Sequence, residues 1–229
     1  MRFSYEFARP ALTVDCVVFG FDGDALKLLL IERGLAPFQG RWALPGGFVH
    51  IDEELEQAAR RELREETGLR EVTLAQFHTF GALARDPRER VVSVAYVALT
   101  RLEQHAPKAA TDAKQAVWFR LDELPKLAFD HATIIAQAQQ FLRLQVKTQP
   151  LGFDLLPAHF TLSQWQALYE AVLGRTLDTR NFRKRVLAMD LVVELAGKFQ
   201  CGRQRPAQLY RFDRKRYERL TQAGFQFSL

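Results

Sequence analysis

Cysteine is scarce in this chain. Cys16 and Cys201 are the only two in 229 residues, far apart and at no metal or disulfide spacing, so two reduced thiols in a cytoplasm are expected. Long apolar runs are missing altogether: no stretch reaches about 18 residues, which excludes a transmembrane helix. The opening residues Met1-Arg2-Phe3-Ser4-Tyr5-Glu6-Phe7 have no apolar signal core and carry an early acid, so export is not expected. Repeats and low-complexity tracts are absent too. Hydrophobic content of 48% with 26% charged residues is that of a globular chain, not a disordered or fibrous one. The length suits one large domain or two modest ones.

The net charge of +5 is unevenly placed. Residues 151–229 hold 13 Lys and Arg against 7 Asp and Glu, whereas residues 1–150 hold 19 against 20. A basic module joined to a neutral one points to different partners, a polyanion for the basic one. A solvated basic surface without a partner is the other reading of charge alone.

Residues 12–21 are mostly apolar and predict a strand, Asp22-Gly23-Asp24 a turn, and Leu26 to Ile31 the returning strand. Leu44-Pro45-Gly46-Gly47 leads into a helix from about Glu53 to Thr67, stopped by Gly68. Val72–Leu83 and Val91–Leu99 predict two further strands joined by the charged loop 86–90. A short strand ends at Trp118-Phe119, and a helix follows from about Asp130 to Leu144. This is an α+β arrangement. Pro150, Gly152 and Pro157 interrupt any periodicity between Lys147 and Phe160, which places a linker at 149–160 between domains at 1–148 and 161–229. Beyond it, Thr161 with Gln164 forms a capping box, and Trp165, Leu168, Tyr169 and Val172 recur at helical spacing until Gly174.

The sharpest signal is Gly47-x5-Glu53-x7-Arg61-Glu62-Leu63-x-Glu65-Glu66-x-Gly68-Leu69. With Glu62 at zero and ~100° per residue, Glu66 falls near +40° and Glu65 near −60°, on one helix face. Leu55, Ala58, Ala59 and Leu63 share that side, while Arg60, Arg64 and Thr67 point away. Three carboxylates at the inner end of a helix repel one another and lose hydration, which costs several kcal/mol per uncompensated ion. A divalent cation offsets that, and hard oxygen donors suit Mg²⁺ or Mn²⁺, particularly beside phosphate. For three glutamates alone, a solvated acidic end paired with Arg60, Arg61 and Arg64 remains open.

The whole string matches the Nudix signature over residues 47–69 at every specified position, and the chain resembles that family. The resemblance implies an α/β/α sandwich that hydrolyses a nucleoside diphosphate linked to another moiety. It implies that Glu62, Glu65 and Glu66 hold Mg²⁺ with a backbone carbonyl of Gly46 or Gly47. It also implies that Glu53 braces the helix by pairing with Arg61, and that Glu62 or Glu66 is the general base. The chemistry would be metal-assisted phosphoryl transfer to water.

Three further strings, Arg9-Pro10-Ala11-Leu12-Thr13-Val14-Asp15, Trp42-Ala43-Leu44-Pro45-Gly46-Gly47 and Leu127-Ala128-Phe129-Asp130-His131, resemble ADP-ribose-handling Nudix proteins. With the basic tail they resemble the Nudix-related regulators of NAD metabolism, the NrtR type, over residues 9 to about 213. Asp130-His131 reads as a helix cap or as a mobile proton beside a pocket. Arg88 reads as a phosphate or ribose contact or as an exposed loop arginine.

In the basic tail, Asp178 is a plausible N-cap for a helix Thr179–Met189. Arg180, Arg183 and Lys184 lie on its front, while Phe182, Val186 and Met189 form its apolar back. Leu187 interrupts the basic front one turn on. A helix-turn-helix would set this helix in the major groove, with Arg180, Asn181, Arg183 and Lys184 reading bases. Gly202-Arg203-Gln204-Arg205-Pro206-Ala207 leads into a strand like the wing of a winged helix, its Arg203 and Arg205 suited to phosphate, and it too resembles the tail of those regulators. The expected protein is therefore a transcriptional regulator, a homodimer by the same resemblance. Its Nudix domain binds and hydrolyses ADP-ribose or a similar nucleoside diphosphate, and its winged helix holds operator DNA. The alternative is a Mg²⁺-dependent ADP-ribose pyrophosphatase with no regulatory role.

Overall fold

Strand β1 (Ala11–Phe21) is buried from Thr13 to Phe21 without a break, so it has apolar neighbours on both faces, as a central strand must. It pairs in parallel with β6 (Val91–Leu99), which pairs antiparallel with the edge strand β5 (Thr73–Phe80). On its other side lies β2 (Leu26–Arg33), which carries β3 (Trp42–Ala43) and β7 (Ala113–Arg120). Strand β4 (Gly46–Phe48) pairs with β1 and completes seven strands. The computed structural model describes residues 6–70, 72–102, 113–200 and 206–228. It divides into two units, Met1–Gly20 with Lys27–Ala138 and Phe21–Leu26 with Gln139–Leu229.

Helix α1 (Leu55–Thr67) starts two residues later than the acid spacing predicts. Gln57 Oε1 accepts the Glu54 N–H at 2.9 Å, and Gly68 closes the helix in the left-handed region at φ 76°, a conformation that suits glycine. Its Ala58, Ala59 and Leu63 pack with Val14, Cys16 and Val18 of β1 and Val94, Tyr96 and Ala98 of β6. These are alternate strand residues, the set that shares one sheet face. The opposite set, Val17, Phe19, Leu28 and Leu30, is equally buried. Thr67, expected to point outward, is instead 1% exposed. Its hydroxyl donates to the Leu63 carbonyl, which removes the cost of burying it. Helix α2 (His131–Thr148) runs four residues past its predicted end.

The second unit is built on aromatic rings. The segment expected as a linker forms a 3₁₀ turn, Leu151–Asp154, and buries Phe153, Leu155, Leu156 and Phe160. Phe153 stacks on Phe212 at 4.0 Å and lies 4.7 Å from Trp165. Prolines and a glycine hid this from periodicity, because a 3₁₀ turn has no 3.6-residue repeat. Helix α3 (Leu162–Leu173) has the expected capping box, with Thr161 Oγ1 accepting from Gln164 N–H at 3.1 Å. Helix α4 (Thr179–Ala188) is capped by Asp178 Oδ1 at 2.7 Å from the Asn181 N–H. Two antiparallel strands follow, β8 (Val192–Gln200) and β9 (Ala207–Phe212), and then helix α5 (Arg214–Gln222). Phe160 and Tyr210 exchange backbone hydrogen bonds at 3.0 and 2.8 Å, tying the segment before α3 to β9. Among the described residues no helix is long and apolar enough to cross a membrane.

Phe153→Ala is expected to cost about 3–5 kcal/mol in urea unfolding, the usual loss for a deleted core aromatic. Leu144→Ala, at a side chain 63% exposed, should stay within about 0.5 kcal/mol. Equal losses would mean that residues 151–160 are no part of the core.

Candidate functional site

A cavity of about 430 Å³ opens over the C-terminal half of α1. It is lined by Leu44, Gly46 and Gly47, by Arg61, Glu62, Glu65 and Glu66 of α1, and by Arg33, Arg85, Asp86, Arg88, Phe129 and His131. The helix periodicity places the acids, and Arg61 organises them. Its Nε and Nη2 donate to both oxygens of Glu53 at 3.0 and 2.7 Å, and its Nη1 donates to Glu62 at 2.7 Å and Glu65 at 3.3 Å. The Phe48 carbonyl accepts from Nη2 at 3.0 Å. Arg61's hydrogen bonds hold the Glu53 carboxyl down at about 2. Burial pushes Glu62 up despite its bond to Arg61. Glu66 is pushed up to about 8, first by burial and then by the charges of Glu62 and Asp15, although the Gly46 N–H donates to its Oε2 at 2.8 Å.

Gly46 is required by space, and Gly47 leaves the Glu62 carboxylate its place. A Cβ on Gly46 would lie 2.1 Å from the Val14 carbonyl oxygen, and one on Gly47 would lie 2.3 Å from Glu62 Oε1. As arranged, the glutamates are turned to Arg61 and to the Gly46 amide, and among the described residues no three acidic, His or Cys side chains form a chelating set. In kind, they fit a hard divalent cation. All the donors are oxygens, and Glu66, which no guanidinium joins, is disfavoured as an anion by burial.

The arginines of the lining outside α1 are Arg33, Arg85 and Arg88. Burial lowers the pKa of Arg33, and the like charge of Arg88 adds to that. Arg88 donates to both oxygens of Asp86 at 3.0 and 2.7 Å. Its guanidinium lies 5.1 Å from the Phe48 ring centre and 5.7 Å from that of Phe129. Asp130 sits just before α2, but its carboxylate does not cap the helix. Arg85 takes it through Nε at 3.0 Å and Nη2 at 2.8 Å. His131 stands in the cavity wall with its side chain only 5% exposed, and burial lowers its pKa. Its Nδ1 accepts the Leu44 N–H at 2.8 Å.

Sequence reasoning missed Asp15, Arg33, Arg85, Asp86, Phe48 and Phe129. One signal was available: Asp15 is a lone acid in an apolar strand, which demands a buried partner.

In the second unit, Arg180, Asn181, Arg183 and Lys184 are exposed on α4, above buried Phe182 and Val186. Arg183 Nη2 donates to Ser163 Oγ at 3.2 Å. Asn181 lies off the basic front, lining a separate cavity of about 180 Å³ beside Arg185 and Tyr169. Arg203 and Arg205 lie outside the described residues.

A seven-stranded sheet with an acid-ended helix against it, followed by a helical unit carrying a two-stranded wing, defines a Nudix domain joined to a winged helix. The chain belongs to the Nudix family: residues 9–138 match the NUDIX domain, and residues 152–212 match the NrtR DNA-binding winged helix domain. It is 37% identical to the ADPR responsive transcriptional repressor NtrR of Acinetobacter baylyi over 219 residues, covering 93% of this chain and 86% of that protein. It is 42% identical to an ADP-ribose pyrophosphatase of Methanocaldococcus jannaschii over 129 residues, covering 56% of this chain and 73% of that one. The crystal structure of Shewanella oneidensis NrtR complexed with a 27mer DNA superposes with a TM-score of 0.78 at 34% identity, covering 94% of this chain and 97% of that one.

A carboxyl near 8 when folded and near its ordinary 4.5 when unfolded leaves the native state with the extra proton between those values. Stability contributed by Glu66 is thus present below about pH 4.5 and lost as pH rises to about 8. The Tm of cation-free protein is expected to fall over that window by several degrees more than that of Glu66→Gln. Mg²⁺ should restore the difference at pH 8. Parallel Tm curves for the two proteins would show Glu66 to be ionised throughout.

Proposed function

We propose that the protein is an ADP-ribose-responsive transcriptional repressor. Its Nudix domain binds and hydrolyses ADP-ribose, and its winged helix binds operator DNA as part of a cytoplasmic homodimer. The observation that carries this reading is the divided cavity. One part of the lining holds half-buried carboxylates, of which Glu66 has no guanidinium partner and calls for a cation, and another holds the half-buried Arg33 and the exposed Arg88, which can take an anion. A nucleoside diphosphate with Mg²⁺ meets both needs at once. The printed functions of the Acinetobacter and Methanocaldococcus relatives support ADP-ribose as that nucleotide.

In this reading Glu62, Glu65, Glu66 and a carbonyl of Gly46 or Gly47 would hold a Mg²⁺. When bound, Mg²⁺ offsets the charge of the diphosphate and acidifies water. Glu62 or Glu66 removes the proton from the attacking water. Glu53 keeps Arg61 in place, so that the end of α1 keeps its direction. Arg33 and Arg88 face the diphosphate, and the rings of Phe48 and Phe129 offer apolar faces to the base or ribose. Asp130 acts through Arg85, and His131 through the loop it bonds.

The basic front of α4 supports the regulatory half. Arg180, Arg183 and Lys184 meet DNA, with Arg203 and Arg205 of the wing on phosphate. Ligand releases DNA only if it favours the arrangement that binds DNA less well, because only a difference in affinity shifts an equilibrium. A pyrophosphatase with no regulatory role is the other reading. The exposed basic helix and the winged-helix match weigh against it.

Two measurements test the proposal. AMP release from ADP-ribose with Mg²⁺ is expected in the wild type and should drop by about 10²-fold or more in Glu66→Gln. Fluorescence anisotropy with DNA from upstream of the protein's own and neighbouring genes should show binding that weakens with salt and is reversed by ADP-ribose. Lys184→Ala should lower the slope of log affinity against log salt by about one if it contacts a phosphate. Turnover without salt-sensitive DNA binding would leave a pyrophosphatase in place of a repressor.

A further inference from the structure

The loop Leu44–Gly47 is fastened residue by residue. The Pro45 carbonyl accepts the Cys16 N–H at 2.8 Å. Gly46 donates to Glu66 at 2.8 Å and lies opposite Asp15 in the β1–β4 ladder. The remaining anchor is a side chain from 87 residues away: the Leu44 N–H donates to His131 Nδ1 at 2.8 Å, in a buried contact. A neutral imidazole that accepts at Nδ1 carries its proton on Nε2, and that nitrogen is 3.4 Å from Asp15 Oδ1.

Asp15 is fixed in turn. Ser93 Oγ donates to its Oδ2, and Arg85 Nη2 donates to the same oxygen at 3.2 Å. The Arg85 guanidinium also forks onto both oxygens of Asp130, the residue before His131. The side chains of Asp15, Arg85 and His131 are 9%, 5% and 5% exposed. A buried ionic group of this kind seldom stabilises a fold more than apolar packing would. What it supplies is direction, because each hydrogen bond sets the orientation of the next group.

We infer that His131 is a positioning residue for the Leu44–Gly47 loop, braced by the Asp15–Arg85–Asp130 clamp, and that cation affinity at the glutamates depends on it. The inference rests on the proposed function insofar as a carbonyl of this loop helps to hold the cation. A Cβ on Gly46 would lie within 2.1 Å of the Val14 carbonyl oxygen, so β1 backs the loop closely at Gly46, while at Leu44 its direction is set by the imidazole. Groups that orient a metal site without touching the metal typically govern about 10–100-fold in affinity.

The experiment compares full-length wild type, His131→Phe and His131→Asn. Phe fills the ring volume without an acceptor, whereas the Asn Oδ1 stands near the place of Nδ1 and can still accept the Leu44 N–H. Two quantities are measured: Mn²⁺ affinity by electron paramagnetic resonance, and ADP-ribose affinity by calorimetry without divalent cation. His131→Phe should weaken Mn²⁺ binding by about 10-fold or more, and His131→Asn should recover most of the loss. ADP-ribose affinity reports on a cavity that His131 itself lines, so a change is expected there in both variants and the decision rests on Mn²⁺ alone. Two results overturn the inference: wild-type Mn²⁺ affinity in the Phe variant, or an Asn variant as weak as Phe. Should His131→Phe lose its fold, His131→Asn with near-native Tm and Mn²⁺ affinity supports the inference, and weakened Mn²⁺ affinity in that folded variant overturns it. A wild type that binds Mn²⁺ but not ADP-ribose would sink the proposed function, while the Mn²⁺ comparison still decides the loop. A wild type that binds neither overturns both.

Discussion

Arg61 carries the acidic end of α1. A helix that packs its apolar half against a sheet and ends in three carboxylates would push those acids toward water. One guanidinium counters this by joining Glu53, Glu62, Glu65 and the Phe48 carbonyl. A planar fork with five donors can do that, and an ammonium cannot to the same degree. Glu66 is left out of the arrangement. It is more deeply buried and takes only the Gly46 amide, and so its carboxyl is the most strongly perturbed in the cavity. Protein charge offsets most of the acid cluster and stops one residue short, at Glu66.

The two units solve their packing differently. In the first, aliphatic strands are buried on both faces, and at the cavity lining Asp15 and Arg85, with Asp130, neutralise one another. In the second, a small core is filled by rings, with Phe153, Phe160, Trp165, Tyr169, Phe182 and Phe212 in mutual contact. Large rings give a small domain enough buried area with few residues. The surface is then free to carry the basic side chains of α4 and α5.

Local order was legible in the sequence and distant order was not. The face shared by Glu62, Glu65 and Glu66 follows from spacing on a single helix. So do the Gly68 and Gly174 stops and the caps at Thr161 and Asp178, since each involves residues within one turn. Strands β3 and β4, of two and three residues, are too short to show an alternation. Helix α5 was missed because none of its residues is buried, so it has no apolar stripe to read. The 3₁₀ turn at 151–154 was masked by the prolines and glycine that usually mark a connection.

The chemistry available is already written along the chain: an acid-ended helix behind two glycines, a neutral first part and a basic last third, and a capped helix with a charged front. Periodicity and composition are enough for that, because they act through neighbours in the chain. Only the tertiary structure decided which side chains share a hydrogen bond across 45 to 87 residues. It turned Asp130 from a cap into a partner of Arg85, closed His131 onto the Leu44 amide, and brought Arg33 and Arg88 into one cavity with the acids. Those pairings depend on how strands stack and where loops return, and no spacing along the chain encodes them directly.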